Sequence, residues 1–183
     1  PQNIKQELTL INTIVSNFPD NDFTDDRNFI TPFDKVILIL EKDIAFLKTL
    51  IDYCHIFNYK AIASQNGETG ILLAKKYQPH VIILDHNLPD IDGGSLLNSI
   101  RSEKKLSQIP INIISELKPT EVLISEYNIT AHHRKPLNKK QLEKVMNQLQ
   151  VPAGIPQKEA IVEHTFHESS LSGKTILMAD DDL

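Results

Sequence analysis

The stretch Val81-Ile82-Ile83-Leu84-Asp85-His86-Asn87-Leu88-Pro89-Asp90-Ile91-Asp92-Gly93 decides how the rest of the chain is read. Its consecutive apolar residues, preceded by the breaker Gln78-Pro79, predict a strand buried on both faces. The strand runs directly into Asp85, and Pro89, Asp90, Asp92 and Gly93 then turn the chain. The same alternation extends in both directions. Toward the N-terminus, Val36-Ile37-Leu38-Ile39-Leu40 is a second apolar run, and Ile44, Leu47, Ile51 and Cys54 follow at helical spacing. Lys60-Ala61-Ile62-Ala63 is a short strand, Asn66-Gly67 a break, and Ile71, Leu72, Ala74 and Lys75 fall in a helix. Toward the C-terminus, 96–100 reads as helix, 111–114 as strand, 120–126 as a short helix, 129–133 as strand and 139–149 as helix. Five β-α units of this length predict an α/β architecture, a doubly wound parallel sheet with helices on both faces. Ligands of such sheets gather at the carboxyl ends of the strands.

A chain of 183 residues has room for one well-filled domain plus arms. Its net charge of -5, with acids and bases interspersed, offers no basic face for nucleic acid or anionic lipid. No run approaches the ~20 apolar residues of a membrane helix. The single cysteine, Cys54, lies at an apolar helical position and reads as a small buried hydrophobe in a reduced, cytoplasmic protein. The start at Pro1 carries neither Met nor a signal pattern and is expected of a piece of a longer chain.

The arms differ in kind. Residues 1–34 read as an N-terminal linker, with Ile4, Leu8, Ile11, Ile14 and Val15 at helical spacing and an acidic loop over 19–28. Residues 151–173 read as a connector unable to bury a core of its own. In 174–183 the pattern of 35–43 restarts: Ile176-Leu177-Met178 feeds the acids Asp180, Asp181 and Asp182, as the first strand of a second domain would. That strand is expected to pack on this domain or on a neighbouring chain.

Phosphoryl transfer to a carboxylate needs a nucleophilic Asp, a divalent cation and donors around the same oxygens. Three separated motifs supply candidates: Asp85 opening D-x-x-L-P-D-x-D-G, Ser115 after the fourth strand, and Lys135-Pro136 after the fifth. In this order and spacing, residues 35–150 resemble the receiver domain of response regulators, the CheY-like family. The resemblance implies a flavodoxin-like (βα)5 fold with strand order 2-1-3-4-5. It also implies that Asp85 accepts a phosphoryl group from phosphohistidine while Ser115 and Lys135 bind its oxygens, and that Glu41, Asp85 and the Asn87 carbonyl hold Mg²⁺. The implied partner is a phosphohistidine donor domain, in a histidine kinase or phosphotransfer protein. Asp25-Asp26-Arg27 with Asp34-Lys35 further resembles segments preceding tandem receivers in hybrid sensor histidine kinases, so an adjacent receiver, and also a homodimer, enter the partner set.

This sequence departs from the family pattern at the site. The acidic pair closing the first strand reads Glu41-Lys42, and exchanging an acid for an ammonium opposes Mg²⁺ by charge and by lost coordination. The Lys42 ammonium is expected to approach Asp85 from the metal side, with Lys135 opposite, holding Asp85 ionised. Asp43 substitutes only if the strand end shifts. Glu116 stands where a small residue is usual, and His132 where receivers carry a switching aromatic. The alternative function is therefore a pseudo-receiver, an interaction or scaffolding module that takes no phosphate.

Other features read as structure. Ser172-Gly173-Lys174-Thr175 lacks the earlier glycine of a phosphate-binding loop, since position 168 is Glu. His132-His133, His164 and His167 have no third ligand at usable spacing. Phe46, Tyr53, Phe57 and Tyr59 read as core, since no basic stripe interleaves with them.

Overall fold

The computed structural model describes residues 23–117, 120–149 and 151. Five strands, β1 (Val36–Leu40), β2 (Lys60–Ser64), β3 (Val81–Leu84), β4 (Ile111–Ser115) and β5 (Ile129–Arg134), alternate with five helices. These are α1 (Ile44–Ile56), α2 (Gly67–Tyr77), α3 (Gly93–Ser102), α4 (Glu121–Glu126) and α5 (Lys139–Gln148). All strand pairs are parallel, in the order β2-β1-β3-β4-β5 expected from the sequence. β1 and β3 are buried throughout, as their unbroken apolar runs require. Alternate residues divide between two core layers. Leu38, Leu40, Ile82 and Leu84 pack under α2 and α3, while Ile37, Ile39, Val81 and Ile83 pack under α1 and α5. Cys54 lies in the second layer and burial pushes its thiol pKa up, so it behaves as a small hydrophobe. Among the described residues no helix is long and apolar enough to cross a membrane.

Side chains satisfy the helix N-termini at the end of the sheet where Asp85 lies. Asp43 accepts from the Ala45 and Phe46 amides at the start of α1, and Asp92 from Ser95 N at the start of α3. The α2 N-terminus is capped from outside its own segment. Asp90 accepts from Gly67 N at 2.8 Å and Glu68 N at 2.9 Å, tying the loop after Asp85 to α2. Gly93 is required by packing, since a Cβ there would come within 2.5 Å of the His86 ring.

The helically spaced positions Ile4 to Val15 of the N-terminal linker, the connector beyond Val151 and the terminal strand lie outside the described residues. The end of the acidic loop is described, and it has a structural task. Residues 25–27 lie along the outer edge of β2 and satisfy its outward backbone groups with charged side chains. Ala63 N donates to Asp25 Oδ2 and Ala61 N to Asp26 Oδ2, both at 2.9 Å or less. In return Asp26 N and the Arg27 guanidinium donate to the carbonyls of Ala61 and Ala63. Arg27 is itself paired with Asp25 at 2.7 Å, and His55 and Lys60 flank Asp26. An edge that would otherwise be open to strand addition is closed by charge-assisted bonds. Asp25→Ala is expected to speed amide exchange at Ala63 and Ala61 while Ile62, bonded inward to β1, keeps its protection. Unchanged protection at Ala63 would show that the strap does not close this edge.

Candidate functional site

The parallel register sets four functional side chains around one cleft. Leu40 is level with Leu84, so the residues that follow, Glu41 and Asp85, leave adjacent strands side by side. Asp85 N donates to Leu40 O at 2.7 Å and fixes that alignment. Ser115 closes β4 level with Arg134, and Lys135 N donates to Ser115 O at 3.0 Å, which aims Lys135 back across the strand ends. Glu41, Asp85 and Ser115 are 1%, 3% and 0% exposed. Polar groups this deep must be partnered, and they are. Ser115 Oγ donates to Asp85 Oδ1 at 2.9 Å, and Asn87 N donates to the same oxygen at 3.0 Å. Lys135 Nζ bridges the two acids, at 2.8 Å from Asp85 Oδ2 and 2.6 Å from Glu41 Oε2. The Lys135-Pro136 bond is cis.

Residues 37–147 match the family described as the response regulator receiver domain. The chain belongs to that family. Among curated relatives, the polar-differentiation response regulator DivK of Brucella anthropi is 24% identical over 106 residues, covering 57% of this chain and 86% of DivK. The probable transcriptional regulator ycf29 of Porphyra purpurea is 28% identical over 115 residues, 62% of this chain but only 55% of its own length. Among solved structures, Vibrio cholerae chemotaxis protein CheY4 superposes with a TM-score of 0.57 at 20% identity, covering 62% of this chain and 97% of CheY4. The receiver domain of sensor histidine kinase PA1611 from Pseudomonas aeruginosa, with a magnesium ion coordinated in its active site cleft, gives 0.55 at 17% identity, covering 62% and 95%.

The electrostatics of this receiver's cleft follow from one cation serving two buried acids. Burial alone would raise the Asp85 pKa, but the bonds from Lys135, the Asn87 amide and Ser115 outweigh it and hold Asp85 below the usual carboxylate range. Glu41 goes the other way. Burial dominates there and raises its pKa despite Lys135 and the Asp43 amide, and the charge of Asp85 adds to the rise. Burial disfavours the Lys135 ammonium, yet the bonds to Asp85 and Glu41 prevail and raise its pKa.

Lys42 is not where the sequence led us to expect it. Its side chain is exposed and forms no ion pair among the described residues, while its carbonyl accepts from Gln65 Nε2 at 2.8 Å. The reason is backbone direction at the strand end: Glu41 points into the cleft, so the next residue turns out toward the β2-α2 loop. Among the described residues one cation, Lys135, pairs with Asp85 rather than two. Asp43 is no substitute ligand, since its carboxylate caps α1 and its amide donates to Glu41 Oε1 at 2.9 Å. Glu116 is exposed beside the site, and His132 lies on β5 level with Ile113.

The structure thus brings Glu41, Asp85, Ser115 and Lys135, expected together from the sequence, around one cleft, and the Asn87 amide donates to Asp85. Sequence reasoning missed Phe46, whose ring centroid lies 4.9 Å from Lys135 Nζ. Read as core, Phe46 is indeed half-buried against the layer under α1, and nothing in its local sequence announces a second contact.

Proposed function

We propose that this receiver accepts a phosphoryl group on Asp85 from a phosphohistidine donor. The observation that carries the reading is a buried carboxylate, held ionised, with a hydroxyl and an ammonium both bonded to it. An Asp85 oxygen attacks phosphorus as the P–N bond of phosphohistidine breaks; the imidazole leaves with the bonding pair and takes a proton. Ser115 Oγ and Lys135 Nζ, already within 2.9 Å of Asp85 oxygens, then turn to the phosphoryl oxygens. Glu41, Asp85 and the Asn87 carbonyl form an oxygen-only donor set that suits a hard cation such as Mg²⁺, with water completing its shell. Each carboxylate keeps lone pairs beyond its bond to Lys135. Mg²⁺ bound there would neutralise charge on the phosphoryl oxygens.

The exposed Lys42, in place of an acid, favours a second reading, a pseudo-receiver that orders neighbouring domains without taking phosphate. The repeat of the first-strand pattern in 174–183, with the lead-in 25–27 and 34–35, supports a place beside a second receiver in a hybrid sensor histidine kinase. In that arrangement 1–34 and 151–173 act as connectors. Incubation with a small phosphodonor and saturating Mg²⁺ decides between the two functions. A hydroxylamine-labile phosphoryl adduct that Asp85→Asn abolishes is expected of the working receiver. No adduct on the unaltered protein, with one on Lys42→Asp, would establish the pseudo-receiver.

A further inference from the structure

The Lys135 ammonium has three N–H donors, and two are spent on Glu41 Oε2 and Asp85 Oδ2. The Phe46 ring lies against the same ammonium, with its centroid 4.9 Å from Nζ. The ammonium is thus enclosed by two carboxylates and one aromatic face, and its side chain is only 13% exposed. Phe46 stands on the first turn of α1, just past the Asp43 cap, and its own packing against the core under α1 fixes the ring in place. A cation over an aromatic face gains from the ring quadrupole, more so where water is excluded.

We propose that Phe46 is a positioning residue for Lys135. It seats the ammonium in its bridge between Glu41 and Asp85 and so sets how readily a divalent cation takes those two carboxylates from it. The second half rests on the reading of the cleft as a cation and phosphoryl site. Lys135 is in effect a tethered competitor for the carboxylates, and the ring determines how firmly it competes. A better aromatic face should hold it more tightly, and an aliphatic side chain of similar size should let it go.

The test is a graded series, Phe46→Leu, Phe46→Tyr and Phe46→Trp, in the full chain labelled with ¹⁵N-lysine. Hydrogen exchange of the Lys135 ammonium is expected to be slowest in Phe46→Trp, similar in the wild type and Phe46→Tyr, and fastest in Phe46→Leu. Mg²⁺ affinity, followed by amide shifts, should run in the opposite order, with about two- to fivefold between Leu and Phe. A purely structural role would loosen the site in Trp and Leu alike, so equal exchange in those two variants overturns the proposal. If Trp overpacks α1 and the variant fails to fold, Phe46→Met against Phe46→Tyr carries the same comparison. The expected order of exchange with no Mg²⁺ binding in any variant would uphold the seating role and overturn the metal reading of the cleft.

Discussion

Lys135→Met is expected to destabilise the domain by about 3 kcal/mol at neutral pH, because it leaves two buried carboxylates with no cation between them. Glu41 and Asp85 are 1% and 3% exposed, so water cannot stand in for the lost ammonium. The sign of the pH dependence identifies the cause. In the wild type the lowered Asp85 pKa contributes stability above the ordinary aspartate range that is lost as pH falls through the folded value. The raised Glu41 pKa acts oppositely: its contribution is complete below the ordinary glutamate value and is lost as pH rises through the folded value. Without Lys135 both carboxyls rise, so the penalty should shrink as the medium is acidified from neutral and one of them takes up a proton. Glu41→Gln removes one buried charge and should recover part of the loss when combined with Lys135→Met. Urea unfolding of the two variants and their combination, at neutral and mildly acidic pH, measures this. A loss that does not change with pH would assign the cost to packing against Phe46 instead of to charge.

The sheet order and three residues of the cleft, Glu41, Asp85 and Ser115, were legible because each lies at the end of an apolar run, and a parallel sheet brings such ends together. Lys135 follows the mostly polar β5 and was legible only from the Lys-Pro pair. What stayed hidden depends on contacts between elements far apart in sequence. Asp90 belongs to the motif that marks the phosphoacceptor loop, yet its carboxylate caps α2, 22 and 23 residues earlier. Asp25, Asp26 and Arg27 read as part of an acidic loop, and their partners are β2 amides and carbonyls 35 to 38 positions on. Nothing in the local sequence marks Arg101. Its guanidinium donates to the carbonyls of Leu106, Ser107, Ile109, Tyr127 and Asn128, binding the loop before β4 to the turn before β5. Lys42 shows the converse error. Its position in the motif was right, but position along a strand end does not give direction, and Glu41 already occupies the inward side.

Lys42→Asp should strengthen Mg²⁺ binding by about tenfold or more and speed the uptake of a phosphoryl group or its beryllofluoride mimic on Asp85. The effect requires no contact between Lys42 and Asp85. In the folded domain Glu41 and Asp85 carry two negative charges and Lys135 returns one, so the cleft presents a single net charge to an incoming divalent cation. An acid directly after Glu41 would add a second negative charge near the cleft, whereas the exposed ammonium repels the cation. Because the Lys42 side chain is exposed and its carbonyl, which accepts from Gln65, is untouched by the exchange, the exchange should cost little stability. A gain in affinity can therefore be read without a folding correction. Amide shifts of Asp85, Asn87 and Lys135 during Mg²⁺ titration give the affinity, since the chain has no tryptophan to report by fluorescence. Replacement by the neutral Lys42→Gln separates the two effects: relief of repulsion alone should recover part of the gain, and the remainder belongs to the added negative charge. If the unaltered protein binds Mg²⁺ as tightly as Lys42→Asp, Lys42 is not what weakens the site, and the domain works as an ordinary receiver with the acids it has.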